Sequence, residues 1–109
     1  MHRDEIPPGT LYLLILKTLA RGGEQHGYEI ARAIHQLSRD VLQIEEGSLY
    51  PALQRMLARG WVRAEWGATA ENRRARYYQL TAAGRKQLDA EISQYERVTQ
   101  AIARVIQPA

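Results

Sequence analysis

The stretch that decides the fold is EEGSLYPALQRMLARGWV, residues 45–62. Its apolar positions Leu49, Leu53, Met56 and Leu57 recur at helical spacing, so it reads as an amphipathic helix over residues 46–59 stopped by Gly60. Beyond Gly60 the period changes. In WVRAEW, Val62, Ala64 and Trp66 alternate with Trp61, Arg63 and Glu65, as in a strand with two unlike faces. At the helix entrance, Ser48 reads as the cap, which makes Pro51 the third helical residue, where a missing N–H has no intrahelical acceptor. Tyr50, restricted by the proline after it, falls off the apolar stripe on the side of Gln54. The tyrosine is therefore an aromatic displayed at a stiffened helix start.

Downstream, GATAENRR is a polar turn and ARYYQL a second strand, so the two strands make a β-hairpin with Arg73 and Arg74 at its tip. Tyr77 and Tyr78 must point to opposite faces, one buried and one partly exposed. Upstream, Pro7, Pro8 and Gly9 punctuate an irregular arm, and Thr10 reads as the cap of a helix over residues 11–21. That helix, LYLLILKTLA and onward, is apolar nearly all round and should be the hub of the core; Gly22 and Gly23 stop it. A second helix over residues 27–37 carries Ile30, Ile34 and Leu37 as its stripe, with Glu29, Arg32 and Gln36 turned to water. VLQI, residues 41–44, reads as a brief strand. Thr81 caps a last helix reaching about residue 106, in which Leu88, Ile92, Tyr95, Thr99, Ile102 and Ile106 alternate at spacings of four and three. Such a helix is roughly 38 Å long, more than a small core can cover, so part of its stripe needs a partner.

The chain's 109 residues suffice for one core, and 45% apolar against 25% charged residues is the balance of a globular domain. With no cysteine, neither disulfides nor thiolate metal sites are available, which suits a reducing cytoplasm. The longest apolar run, residues 11–16, is too short for a bilayer, and MHRDEIPPGT lacks the apolar segment of a signal peptide. His2, His26 and His35 share no metal-ligand spacing. Neither a Gly-rich phosphate loop nor a nucleophile–base pair stands in the sequence, and the adjacent Glu45 and Glu46 suit a helix dipole better than catalysis. We expect no enzyme and no cofactor. Charge is uneven: between Arg55 and Lys86 eight basic side chains face two acidic ones, a net +6, while the remainder carries seven against ten, a net −3. The basic region is either an Arg-rich solvated surface or the footprint of a polyanionic partner.

Helix, helix, short strand, helix and basic hairpin is the order of a winged helix-turn-helix, a mainly α fold with a small β-hairpin, here followed by a long C-terminal helix. GTLYLLILKTLA, HGYEIARAI, EEGSLYPALQRMLARGWV and RYYQLTAAGRKQL together resemble the PadR-like family of bacterial transcriptional regulators, over about residues 9–88. The single last helix resembles the family's short subclass, whose members dimerise through it. The resemblance implies residues 1–80 as a DNA-binding domain and residues 81–109 as a dimerisation helix. It places Ser48, Tyr50 and Gln54 on a recognition helix facing DNA, Arg55 with His26, Gly27 and Tyr28 near phosphates, and Arg73, Arg74 and Arg76 on the wing. It also implies a homodimeric repressor on a pseudo-palindromic operator, with Leu88, Ile92, Tyr95, Thr99, Ile102 and Ile106 as the dimer seam.

Each assignment has a plainer counterpart in the residues themselves. Tyr50 could pack beside the wing, Ser48 could only cap, and Tyr28 reads as core. Some short relatives bind flat aromatic compounds between subunits through a tryptophan on the last helix. Here Trp61 and Trp66 fall on the wing and the last helix offers Tyr95, so such a pocket is not expected and no effector is identified. The rival reading is a winged helix that docks on protein.

Overall fold

The computed structural model describes residues 4–7 and 9–108; His2 and Pro8 lie outside the described residues. The order is β1 (Asp4–Glu5), α1 (Leu11–Gly22), β2 (Gln25–His26), α2 (Gly27–Leu37), β3 (Leu42–Gln43), α3 (Glu46–Ala58), β4 (Val62–Ala68), β5 (Arg74–Leu80) and α4 (Ala82–Ile106). Among the described residues no helix is long and apolar enough to cross a membrane.

Helix α1 is the hub, packed against α2, α4 and β5. Ile15, Leu16 and Leu19 are buried there with Ile30 and Ile34 of α2, Leu49, Leu53 and Met56 of α3, and Val62, Tyr78 and Leu80 of the sheet. Each such large apolar side chain contributes about 1.5–3 kcal/mol by leaving water. Leu37, expected on the α2 stripe, is exposed, because it is the last helical residue and the chain turns away through Arg39 and Asp40, both at positive φ. Thr10 does hold the N-cap position of α1, yet its hydroxyl donates to the Pro7 carbonyl at 2.7 Å and caps nothing.

Three corrections concern strands and caps. The arm is not wholly irregular: Asp4–Glu5 pairs in parallel with Leu42–Gln43. The hairpin is part of a three-stranded antiparallel sheet in the order β2-β5-β4, since Gln25 and His26 pair with Tyr78 and Tyr77. Two-residue strands carry no period, so their partners alone define them. The N-cap of α3 is Glu45, not Ser48, which makes Pro51 the sixth helical residue. An interior proline has no N–H for the Gly47 carbonyl one turn back. Both residues are exposed, so water can serve that carbonyl.

Wing and last helix meet at Thr81. Its hydroxyl accepts from the Gly84 N–H at 3.0 Å, the expected cap, and lies 2.6 Å from the Gly60 carbonyl oxygen as donor. A Cβ built on Gly84 would collide with the Trp61 carbonyl oxygen, so only glycine lets α4 cross there. Leu88 is buried and Ile92 half-buried against the core, so the first two members of the expected seam belong to the domain itself. Beyond them Tyr95, Val98, Ile102, Val105 and Ile106 are exposed.

Candidate nucleic-acid interface

The hairpin presents one face with two uses. Pairing Val62 with Leu80, Ala64 with Tyr78, Trp66 with Arg76 and Ala68 with Arg74 puts these residues on the same side of the sheet. At its base this face is core, where Val62, Leu80 and Tyr78 are buried; towards the tip it carries Trp66, Arg76 and Arg74. Trp66 is 60% exposed and holds the Arg74 guanidinium 4.4 Å from its ring centroid, with Arg76 at 5.9 Å. A cation over an indole gains about 0.5–1 kcal/mol at an exposed site, enough to bias where both arginines rest. The strands run further than WVRAEW and ARYYQL suggested, leaving a turn over residues 69–73. Thr69 closes it by donating its N–H to the Arg73 carbonyl at 2.8 Å and accepting the Arg73 N–H on its hydroxyl at 3.1 Å, with Asn72 at positive φ.

Opposite the wing stand the entrance of α2 and one flank of α3. His26 caps α2 through a reciprocal pair: its Nδ1 accepts the Glu29 N–H at 3.4 Å and its own N–H donates to Glu29 Oε1 at 3.1 Å. The His26 ring meets Tyr77 edge-on at 5.3 Å, which ties the helix entrance to β5. Tyr77 in turn covers Gly67, where a Cβ would meet its ring at 3.0 Å, and donates its hydroxyl to the Ala68 carbonyl. Tyr78 is the buried tyrosine and Tyr77 the half-buried one, as their alternation required.

The Tyr50 ring lies directly over Gly27, where a Cβ would stand 2.7–2.9 Å from its ring and hydroxyl. Tyr50 itself is 43% exposed. Together Tyr50 and Gln54 of α3, His26, Gly27 and Tyr28 of the α2 entrance, and Arg73, Arg74 and Arg76 of the wing line a cleft of about 540 Å³. Eight of the residues named from sequence thus converge on one space. Tyr28, which its position had suggested as core, is 64% exposed there. Being the second residue of α2, it lies off the Ile30 and Ile34 stripe. Trp66, Thr69, Ala75 and Tyr78 complete the lining; reading them from sequence needed the exact hairpin register. Burial pushes the Tyr78 phenol above its ordinary value, Arg76 opposing and Tyr50 adding to the rise.

Ser48 and Arg55 do not join this cleft. They fall on the other flank of α3, lining a separate groove of about 440 Å³ with Tyr12 and the N-terminal arm. Among the described residues no group of three His, Asp or Glu side chains is placed to hold a metal ion.

Comparison with known proteins agrees with this architecture. The chain is similar to a transcriptional regulator from Clostridium thermocellum, with a TM-score of 0.82 and 26% identity over 91% of this chain and 95% of that one. A PadR-like transcriptional regulator from Bacillus cereus gives 0.75 and 25% over 93% and 95%. An uncharacterized protein of Lysinibacillus sphaericus is 28% identical over 102 residues, 94% of this chain and 93% of that protein. Residues 15–90 match the model of the transcriptional regulator PadR-like family. That span runs from the hub helix through the wing to the first turns of α4, so the chain belongs to the PadR-like family, whose members are transcriptional regulators and not enzymes.

Proposed function

We propose that the protein is a homodimeric DNA-binding transcriptional repressor. In this reading α3 lies in the major groove, the β4–β5 wing rests on the backbone or in the minor groove, and α4 pairs with a second copy. The observation that carries it is the convergence of Tyr50 and Gln54 with His26, Gly27, Tyr28, Arg73, Arg74 and Arg76 on one cleft. Arginines on a hairpin reach phosphates, and a helix flank carrying hydroxyl and amide groups reaches base edges. Tyr50 presents its hydroxyl and Gln54 its amide there, while Ser48 and Arg55 serve the far flank. Residues 1–80 form the DNA-binding unit. Residues 81–109 form the dimerisation unit, whose working surface is Tyr95, Val98, Ile102, Val105 and Ile106, exposed apolar side chains along one helix. Thr99 is the polar member of that seam.

A twofold dimer offers two recognition helices to one face of a duplex. The operator is then a pseudo-palindrome with half-sites about 34–36 Å apart or a multiple of that. Selection of bound sequences from a random duplex pool tests DNA binding, palindromy and spacing together, and a pool that returns unenriched overturns the reading. Within it, Arg73→Ala combined with Arg74→Ala lowers the slope of log K against log salt by about two units. Removing the protein raises transcription from the promoter it occupies; a fall would make it an activator. The net +6 of the region from Arg55 to Lys86 favours a polyanion over a docked protein.

A further inference from the structure

The wing serves only one flank of α3. A helix about 10–12 Å across in a major groove about 12 Å wide has a phosphate strand along each side. The flank away from the wing carries Arg55 and Arg59, one turn apart. Against them stands an aromatic ledge: Tyr12 of α1 and Trp61, which precedes β4 and so lies off the wing on which its sequence position had put it; the two rings meet edge to face at 5.3 Å and 85°. Arg55 donates its Nε–H to the Tyr12 hydroxyl. Its guanidinium carbon lies 5.6 Å from the Tyr12 centroid, and that of Arg59 lies 5.4 Å from the same ring and 5.0 Å from Trp61.

Two like charges are thus gathered around one ring. Among the described residues the acid–base contacts within 4 Å join His26 to Glu29 and His35 to Asp40, and none involves these arginines. Both remain exposed. Beyond the Nε–H that Arg55 donates to Tyr12, its two terminal amino groups can meet a phosphate as a fork. The adjoining groove passes Ser48 to Ile6 and Pro7, with Glu45 also on its wall. The arginine end of this groove is therefore the one that favours an anion.

We propose that Arg55 and Arg59, held on the Tyr12–Trp61 ledge, form a second backbone grip that binds the DNA strand on the side of α3 opposite the wing. Tyr12 is its positioning residue. The grip rests on the DNA-binding reading above and adds to it a second bank of phosphate contacts, with two residues, Tyr12 and Arg59, that the recognition helix and wing do not account for. Because phosphate contacts are independent of sequence, the operator need not be known.

The test is an anisotropy titration of a 30-base-pair mixed-sequence duplex with the full chain across a series of salt concentrations. Arg55→Gln and Arg59→Gln should each lower the salt slope by about 0.9. Tyr12→Phe keeps the ring and loses one hydroxyl, so it should weaken binding about fivefold with an unchanged thermal midpoint. It should add nothing further in an Arg55→Gln background. Wild-type slopes in both arginine variants, beside a reduced slope in the Arg73 and Arg74 variants, would mean that the ledge only ties α3 to α1, and would overturn the grip. Full affinity in Tyr12→Phe overturns it as well. Absence of salt-dependent binding by the wild-type chain would instead sink the DNA-binding reading, and the grip with it.

Discussion

Gly27→Ala separates the fold from the interface. A methyl group at position 27 would stand 2.7, 2.8 and 2.9 Å from Cε1, Oη and Cζ of Tyr50. Carbon atoms rest about 3.5–4.0 Å apart, so the ring must retreat by about 1 Å. What must move is the far end of a half-exposed side chain, free to swing into solvent. Gly27 opens α2 at a φ that is not positive, so alanine fits the backbone there and regains up to about 1 kcal/mol of helix propensity. That gain offsets the contact Tyr50 gives up, and folding stability should stay within about 1 kcal/mol of the wild type. Binding should not. With its hydroxyl displaced from the cleft, Tyr50 should lose the one hydrogen bond to DNA proposed for it, about 1 kcal/mol or roughly fivefold in affinity. Tyr50→Phe alone should lose about the same without unfolding the domain. Urea unfolding reads the first quantity and duplex titration the second. The decisive arm is the double variant: if Gly27→Ala acts only by displacing the hydroxyl, combining it with Tyr50→Phe costs no more than either alone. Additive losses would refute the reasoning, because the methyl group would then be acting on DNA directly or through the α2 entrance.

Three further outcomes are expected. Gly84→Ala drives a Cβ into the backbone carbonyl of Trp61, which cannot swing aside, so it should lower stability by about 2–3 kcal/mol despite the propensity gain; an unchanged urea midpoint would refute this. Ile102→Asp places a charge on the exposed apolar stripe of α4, where Ile102 is 53% accessible in the single chain. It should abolish the dimer in sedimentation while leaving the monomer folded, and an intact dimer would assign the seam to another face. Burial raises the Tyr78 pKa above 10.0, so the unfolded chain releases that proton first and stability falls as pH rises through about 10 towards the folded value. Stability measured from pH 8 to 11 should show this loss, and Tyr78→Phe should reduce it; an identical alkaline slope in the variant removes Tyr78 as the cause.

The wing shows why one strand pattern can serve both core and interface. Alternation assigns Val62, Ala64 and Trp66 to one face, but a face is only as buried as what lies above it. Near Val62 that is the hydrophobic core, so the side chain disappears. Two pairs further out the sheet has left the helices behind, and Trp66 meets two arginines and open cleft instead. Helix α4 behaves in the same way. Its seam is continuous in sequence, yet Leu88 is claimed by the domain, while Ile102 is exposed and claimed by nothing among the described residues.

From the sequence alone came the helices, the hairpin, the resemblance and most of the residues that line the cleft, because periodicity, caps and turn residues act over a few neighbours at a time. The span of α2 and the end of α4 at Ile106 followed from such local rules. Tertiary structure decided what depends on distant partners. Asp4–Glu5 and Gln25–His26 are strands only because Leu42–Gln43 and β5 lie beside them. Glu45 holds the N-cap position of α3 in place of Ser48, without a side-chain capping bond, and Pro51 sits a turn deeper than the spacing suggested, since helix ends are set by the backbone path out of β3. Ser48 and Arg55 part company with Tyr50 because α3 has two flanks, one facing the wing and one facing Tyr12. The seating of Tyr50 on Gly27 joins residues far apart in the chain, and no local signal carries such a contact; only packing brings the ring to the one position without a side chain.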